Sequence, residues 1–365
     1  MFNKKKKIRY VPDEEIMLYN KAKQKTSDTY TLNDNEVSTS NNVKSNKTFR
    51  FFANLIPKKN DSKKTLTIKI ISLVCAVALI ASSVYLVTYF VDLGQQDAKI
   101  NNIRNNYELN KDDYTKNEDN QFSKFDLLKY QNPDVVGWLN FAGTEVDNPV
   151  YQTDNNDFYV KYDMDKKPNS YGALFLDYRC EINPMSASRN QIIYGHNMRY
   201  GAMFGTLDNY RDINYYRKNP IISFDSLYEK REYKIFAIMI VNDSEDKTFG
   251  YSYSAYRTAF TNDTDFMQWI KHSQDRSLYD IPVDINEDDE IITLSTCCYD
   301  FTNARFVILG RLVREGESAE VDVNNSSVNK DVLYPGEYYA KKKLPVPQIA
   351  STDSSTSSKE TTTSK

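Results

Sequence analysis

Between residues 135 and 314 the chain alternates short apolar runs with turn-forming residues. The runs are VVGWLNF (135–141), NPVYQ, YGALFLDY (171–178), QIIYG (191–195), PIISFDS, REYKIFAIMIVN, EIITLSTC (290–297) and ARFVILGRLVR (304–314). Rich in Val, Ile, Tyr and Phe and broken by Asn, Asp, Gly and Pro, they read as strands of an antiparallel barrel or sandwich. One stretch breaks this rhythm. At about 264–275, Phe266, Trp269 and Ile270 form an apolar face at helical spacing, with Asp263 or Thr264 as N-cap, so a helix is predicted between two late strands.

A different pattern precedes the strands. Residues 70–91, IISLVCAVALIASSVYLVTYFV, run without a charge over a length that meets the roughly 20 apolar residues needed to cross a bilayer. A cleaved signal peptide fits less well, because the apolar run starts near residue 70 and exceeds the ~7–15 residues usual for one. Lys58, Lys59, Lys63, Lys64 and Lys69 crowd its N-terminal flank, which predicts the N-terminus inside and the C-terminal bulk outside.

The remaining boundaries follow from loss of pattern. Residues 1–69 are polar and basic without sustained periodicity and are expected to form a disordered cytoplasmic tail. Residues 92–119 are expected to form an extracytoplasmic stalk, helical and polar, with the helical character running on to about residue 131, where Pro133 ends it. Residues 120–314 form the folded domain. From Glu315 to residue 365 periodicity is lost and a Ser/Thr-rich end follows, which predicts a flexible C-terminal extension.

Composition narrows the chemistry. The 47 basic and 50 acidic residues nearly cancel, so no global field draws nucleic acid. With two histidines, His196 and His272, four cysteines, Cys75, Cys180, Cys297 and Cys298, and no C-x-x-C pair, neither a structural zinc site nor a disulfide framework is expected. Cys297 closes one apolar strand and Arg305 opens the next, so a hairpin turn sets a thiol beside a guanidinium suited to a thiolate and an oxyanion. His196 ends another strand, where an imidazole can serve as acid and base to a thiol. Singly, each residue has a plain structural reading; their joint placement at strand ends is what points to chemistry.

The string Thr293-Leu294-Ser295-Thr296-Cys297 is similar to the TLxTC signature of sortases, with Arg305 in the place of the family's arginine on the following strand. YGHNMRYGAMFGTLDNY around His196 and NPDVVGWLNFAGTEVDNPVYQTDNNDFY upstream resemble segments of class B sortases, and the helix near 264–275 matches the extra helix of that class. The resemblance spans about residues 120–314. It implies a mainly β, sortase-like closed β-barrel with an N-terminal helical segment and the extra helix before the Cys strand, preceded by a single transmembrane helix. It further implies a cysteine transpeptidase without cofactor or metal, in which Cys297 is the nucleophile, His196 the acid and base, and Arg305 the oxyanion donor. Ser295 and Thr296 would line the substrate groove. The expected partners are surface proteins or pilins bearing a sorting signal, cleaved after Thr, and an amine of peptidoglycan precursor or pilin as acceptor. Cys298 departs from the family pattern, but neighbours on a strand face opposite ways, so only one of the two thiols can face Arg305.

Two readings compete. A cell-wall cysteine peptidase usually places its Cys on a helix before the His, the reverse of the order here, and an L,D-transpeptidase needs a SHGC-type motif that is missing. A catalytically silent, sortase-like binding or scaffold protein is the non-enzymatic alternative.

Overall fold

The computed structural model describes residues 56–198 and 201–348, and the chain divides into two compact units, Met1–Phe90 and Val91–Lys365. Most of the basic tail expected over residues 1–69 lies outside the described residues. Helix α1, Lys63–Glu108, carries the apolar run. It is the one described helix long and apolar enough to cross a membrane, with a mean hydropathy of 2.5 in its most apolar window and no part of that window buried against protein. Side chains such as Leu79 and Tyr85 are fully presented to the surroundings. Exposed apolar surface of this extent is costly in water and favourable in lipid.

The second unit is built on an eight-stranded closed barrel. After α1 come the short helix α2 (Asp126–Gln131), β1 (Val135–Asn140), β2 (Asp147–Tyr151), α3 (Phe158–Lys161), β3 (Leu174–Leu176) and β4 (Asn190–Tyr194). Then follow α4 (Ile213–Lys218), β5 (Ile221–Ser226), β6 (Lys230–Asn242), α5 (Asp263–Arg276), β7 (Tyr279–Asp280), β8 (Ile291–Cys297) and β9 (Ala304–Leu312). The barrel order is β1-β2-β3-β4-β8-β9-β6-β5, closed by pairing of β5 with β1. Every apolar run of the sequence supplies one of these strands. The expectation of an all-antiparallel sheet does not hold: β2 pairs parallel with β3, and β4 parallel with β8. The long crossovers between these strands allow parallel pairing where a tight hairpin would not. At the closure Gly137 is obligatory, since a Cβ there would sit 2.6 Å from the Asp225 carbonyl oxygen.

Helix α5 occupies the predicted place and packs Phe266, Trp269 and Ile270 into the core. Its cap is Asn262, not Asp263 or Thr264; the Asn262 side chain accepts from the Asp265 N–H at 2.9 Å. His272, on the same helix, stacks on Tyr251 with ring centroids 3.7 Å apart. Burial and the neighbouring Arg276 hold it below the usual histidine range.

Two further expectations are corrected. The segment after the apolar run is not a free polar stalk. Helix α1 ends at Glu108 rather than near 131, and Ile100, Ile103 and Tyr107 on its last turns are buried. Tyr107 stacks flat on Trp138 at 3.9 Å, while Arg104 donates to the backbone oxygens of Asp147 and Glu145. Lys124, whose side chain is fully buried, pairs with Asp225 beneath that stack. The polar sequence hid a three-residue apolar stripe at positions 100, 103 and 107, too sparse to read as a core face.

The second correction concerns the chain after Glu315, which was expected to be flexible. Strand β10 (Ser327–Val328) pairs with β7, and helix α6 (Gly336–Lys342) buries Tyr339. Arg217 donates to the Ser326 carbonyl at 2.7 Å, the Leu333 N–H to Asp275 O, and Lys341 to the Tyr299 carbonyl. These are contacts of single side chains and backbone groups, which leave no hydrophobic period to detect. The Ser/Thr-rich residues from 349 onward lie outside the described residues.

Candidate active site

The barrel brings the candidate residues to one rim. In the antiparallel β8–β9 ladder Cys297 is the direct partner of Arg305. In the parallel β4–β8 ladder Tyr194 is level with Ser295, and the Gly195 N–H donates to the Ser295 carbonyl at 3.2 Å. Continuing that register by two residues sets His196 level with Cys297. The link is extended past the strands by side chains: Asn197 Nδ2 donates to the Cys297 carbonyl and Thr296 Oγ1 to the Gly195 carbonyl, both at 2.8 Å.

His196, Ser295, Thr296, Cys297 and Arg305 all line a single cavity of 710 Å³. Its walls include the aromatic side chains of Phe175, Tyr194 and Tyr256 among polar ones such as Asn156, Arg179 and Asp243. The imidazole is anchored by a 2.8 Å hydrogen bond between Nε2 and the Val160 carbonyl. A carbonyl can only accept, so Nε2 carries the hydrogen and Nδ1 is the ring nitrogen left for other partners. Gly172, at φ +58, backs the ring; a Cβ there would lie 3.2 Å from His196 Cδ2 and 2.3 Å from the Tyr159 carbonyl.

Arg305 is directed by two acceptors. Nη2 donates to Asp243 Oδ2 and Nη1 to the Ala304 carbonyl, each at 3.2 Å. Ser295 Oγ shares a 3.0 Å hydrogen bond with the Tyr256 hydroxyl, whereas the Thr296 hydroxyl is already engaged with Gly195. Deeper in the wall, Tyr194 and Asn156 donate to the fully buried Asp177, which also holds Arg179. Burial alone would raise the Asp177 carboxyl, but the Arg179 side chain and backbone, Asn156 and Tyr194 outweigh it and hold it below the usual carboxylate range.

Cys298 faces the other way. It is buried in a separate cavity of 250 Å³ beside Arg211 and Asp300, and burial pushes its thiol up to about 12. Cys180 is likewise buried, with its thiol raised to about 12. Neither is a thiolate at neutral pH. Asp243, Tyr256 and Gly172 carry no sequence signal that would have singled them out; Asn197, next to His196, carries only that adjacency. Among the described residues no group of three or more His, Cys, Asp or Glu is arranged to hold a metal ion.

Comparison with known proteins identifies the family. A sortase domain matches residues 140–313. Sortase B of Listeria monocytogenes is 36% identical over 188 residues, covering 51% of this chain and 72% of the relative. Sortase B of Staphylococcus aureus is 28% identical over 254 residues, covering 69% of this chain and 98% of the relative. The structure of a Staphylococcus aureus sortase B–substrate complex superposes with a TM-score of 0.53 at 27% identity, covering 61% of this chain and 99% of that one. With a closed eight-stranded barrel and 36% identity to the Listeria sortase B over 72% of that relative, the chain belongs to the sortase family, class B, and is a cysteine transpeptidase.

Proposed function

We propose that Cys297 is the nucleophile, His196 the general acid and base, and Arg305 the oxyanion donor of a transpeptidation at the outer face of the cell membrane. The observation that carries this is the β8–β9 register, which opposes Cys297 to Arg305 across one ladder while the β4–β8 register brings His196 level from the other side. In the first step the Cys297 thiolate adds to the carbonyl carbon of Thr in a sorting signal. Arg305 N–H groups receive the developing oxyanion, and the C–N bond breaks as His196 passes a proton from Nδ1 to the departing amine. A thioester on Cys297 and a free amine result. In the second step an acceptor amine, from peptidoglycan precursor or a pilin, adds to the thioester, gives its proton to His196 and releases the thiolate.

Ser295 and Tyr256 form a hydroxyl pair in the cavity wall that can accept or donate to the peptide backbone. Thr296 braces the site, since its hydroxyl is bonded to Gly195. The lysines before the apolar run of α1 support an orientation with the N-terminus in the cytoplasm and the barrel outside. The partners are then surface proteins or pilins that carry the signal, and the reaction draws on side chains alone.

The test is direct. Full-length protein in detergent micelles, incubated with candidate sorting peptides, is expected to gain a thioacyl mass on Cys297. The adduct is expected to vanish in Cys297→Ala and to persist in Cys298→Ala. Loss of the adduct only in Cys298→Ala would overturn the assignment.

A further inference from the structure

We infer that Asp243 is the positioning residue for the Arg305 guanidinium, so that the site is a row of four groups across four neighbouring strands. The inference rests on the proposed oxyanion role of Arg305. Strands β6, β9, β8 and β4 are consecutive neighbours in the barrel. Val241 of β6 pairs with Arg305 of β9, and Arg305 pairs with Cys297 of β8. Directly opposed residues project to the same face of a sheet, and Asp243, one residue past the end of β6, lies two positions on from Val241. With His196 level with Cys297 on the far side, the order across the rim is carboxylate, guanidinium, thiol, imidazole. All four groups line the same cavity.

Asp243 holds the neighbouring strand by two atoms. Its carboxylate accepts from Arg305 Nη2 at 3.2 Å, and its backbone N–H donates to the Asn303 carbonyl at 3.1 Å. Asn303, at φ +62, is the turn residue that starts β9. Arg305 is 28% exposed and Asp243 33% exposed, so the guanidinium has water beside it and room to swing away from the thiol. Two acceptors, Asp243 and the Ala304 carbonyl, fix the plane of the fork and leave its other N–H groups for the cavity. A pair this exposed adds little to global stability. Its effect is on the direction of a donor, and donor direction governs oxyanion stabilisation.

A double-mutant cycle on the full chain, read by kinetics of Cys297 acylation with a sorting peptide, tests this. Asp243→Ala is expected to lower kcat about tenfold with KM changed less than about twofold, the mark of an interaction made in the transition state. Asp243→Glu is expected to recover most of that loss. In the Arg305→Ala background, Asp243→Ala is expected to have no further effect, because nothing remains for it to orient. An undiminished Asp243→Ala effect in that background, a rise in KM at constant kcat, or no effect at all overturns the inference while leaving the oxyanion assignment standing. If Arg305→Ala alone leaves kcat untouched, the oxyanion assignment and this inference fall together.

Discussion

The two ends of the β8–β9 hairpin carry the same kinds of residue and hold them in opposite ways. At the end away from the turn Arg311, fully buried, pairs with Glu317, which also binds Lys234 at 2.6 Å. Arg314 grips Asp289 through two 2.8 Å bonds, and Arg231 joins Glu229 to Glu290. At the open rim Arg305 has one carboxylate partner at 3.2 Å and keeps contact with water. The end away from the turn commits both Nη groups of Arg311 to Glu317, with Nε left without a partner, and so helps to hold the strands in register. The rim leaves donors unsaturated, which is the condition for binding a charge that exists only during reaction.

That contrast can be broken at three points. Arg311→Met removes the fully buried guanidinium and leaves the partly buried Glu317 with Lys234, and a cost of about 2 kcal/mol is expected in denaturant unfolding. Acylation per folded molecule is expected to stay at the wild-type rate. A loss under about 1 kcal/mol would mean that the end away from the turn is no more anchored than an exposed ion pair.

Gly172→Ala probes the rim from behind. Its left-handed φ of +58 and the 2.3 Å approach to the Tyr159 carbonyl force the backbone to shift, a strain of roughly 1–3 kcal/mol. The same shift moves the wall against His196, so acylation is expected to slow more than the melting temperature suggests. Normal kinetics in a destabilised protein would separate Gly172 from the imidazole.

The smallest effect is in acid. Hydrogen bonds from Arg311 hold the Glu317 carboxyl well below its usual range, so its folded pKa lies below the unfolded value of about 4.3. The stabilisation it brings is therefore complete above that value and drains as pH falls towards the folded pKa. Melting temperature recorded from neutral pH down to about pH 2 is expected to fall less steeply in Glu317→Gln than in wild type. Identical slopes would take Glu317 out of the acid response.

Much of this was readable in the chain. Alternation marked all eight barrel strands and the helix holding Phe266, Trp269 and Ile270, because a half-buried strand or helix writes its period into the order of residues. The thiol and the guanidinium were readable as well, since a short hairpin couples positions close in sequence. What escaped was non-local: Asp243 beside Arg305, Tyr256 beside Ser295, and Val160 beneath His196 are separated by 62, 39 and 36 residues. The ordered course of residues 315–342 was hidden too, because it is held by backbone carbonyls that any sequence would offer.

The sequence alone thus determined the apolar helix, the strands, and which side chains have the chemistry of a thiol acyl transfer. Only the tertiary structure decided that β4 runs parallel beside β8, that Cys297 opens into the cavity while Cys298 is sealed behind it, and that Asp243 flanks the guanidinium. The physical reason is that periodicity and residue chemistry are local properties, whereas strand order, burial and the direction of a charged group depend on which distant segments the barrel closes together.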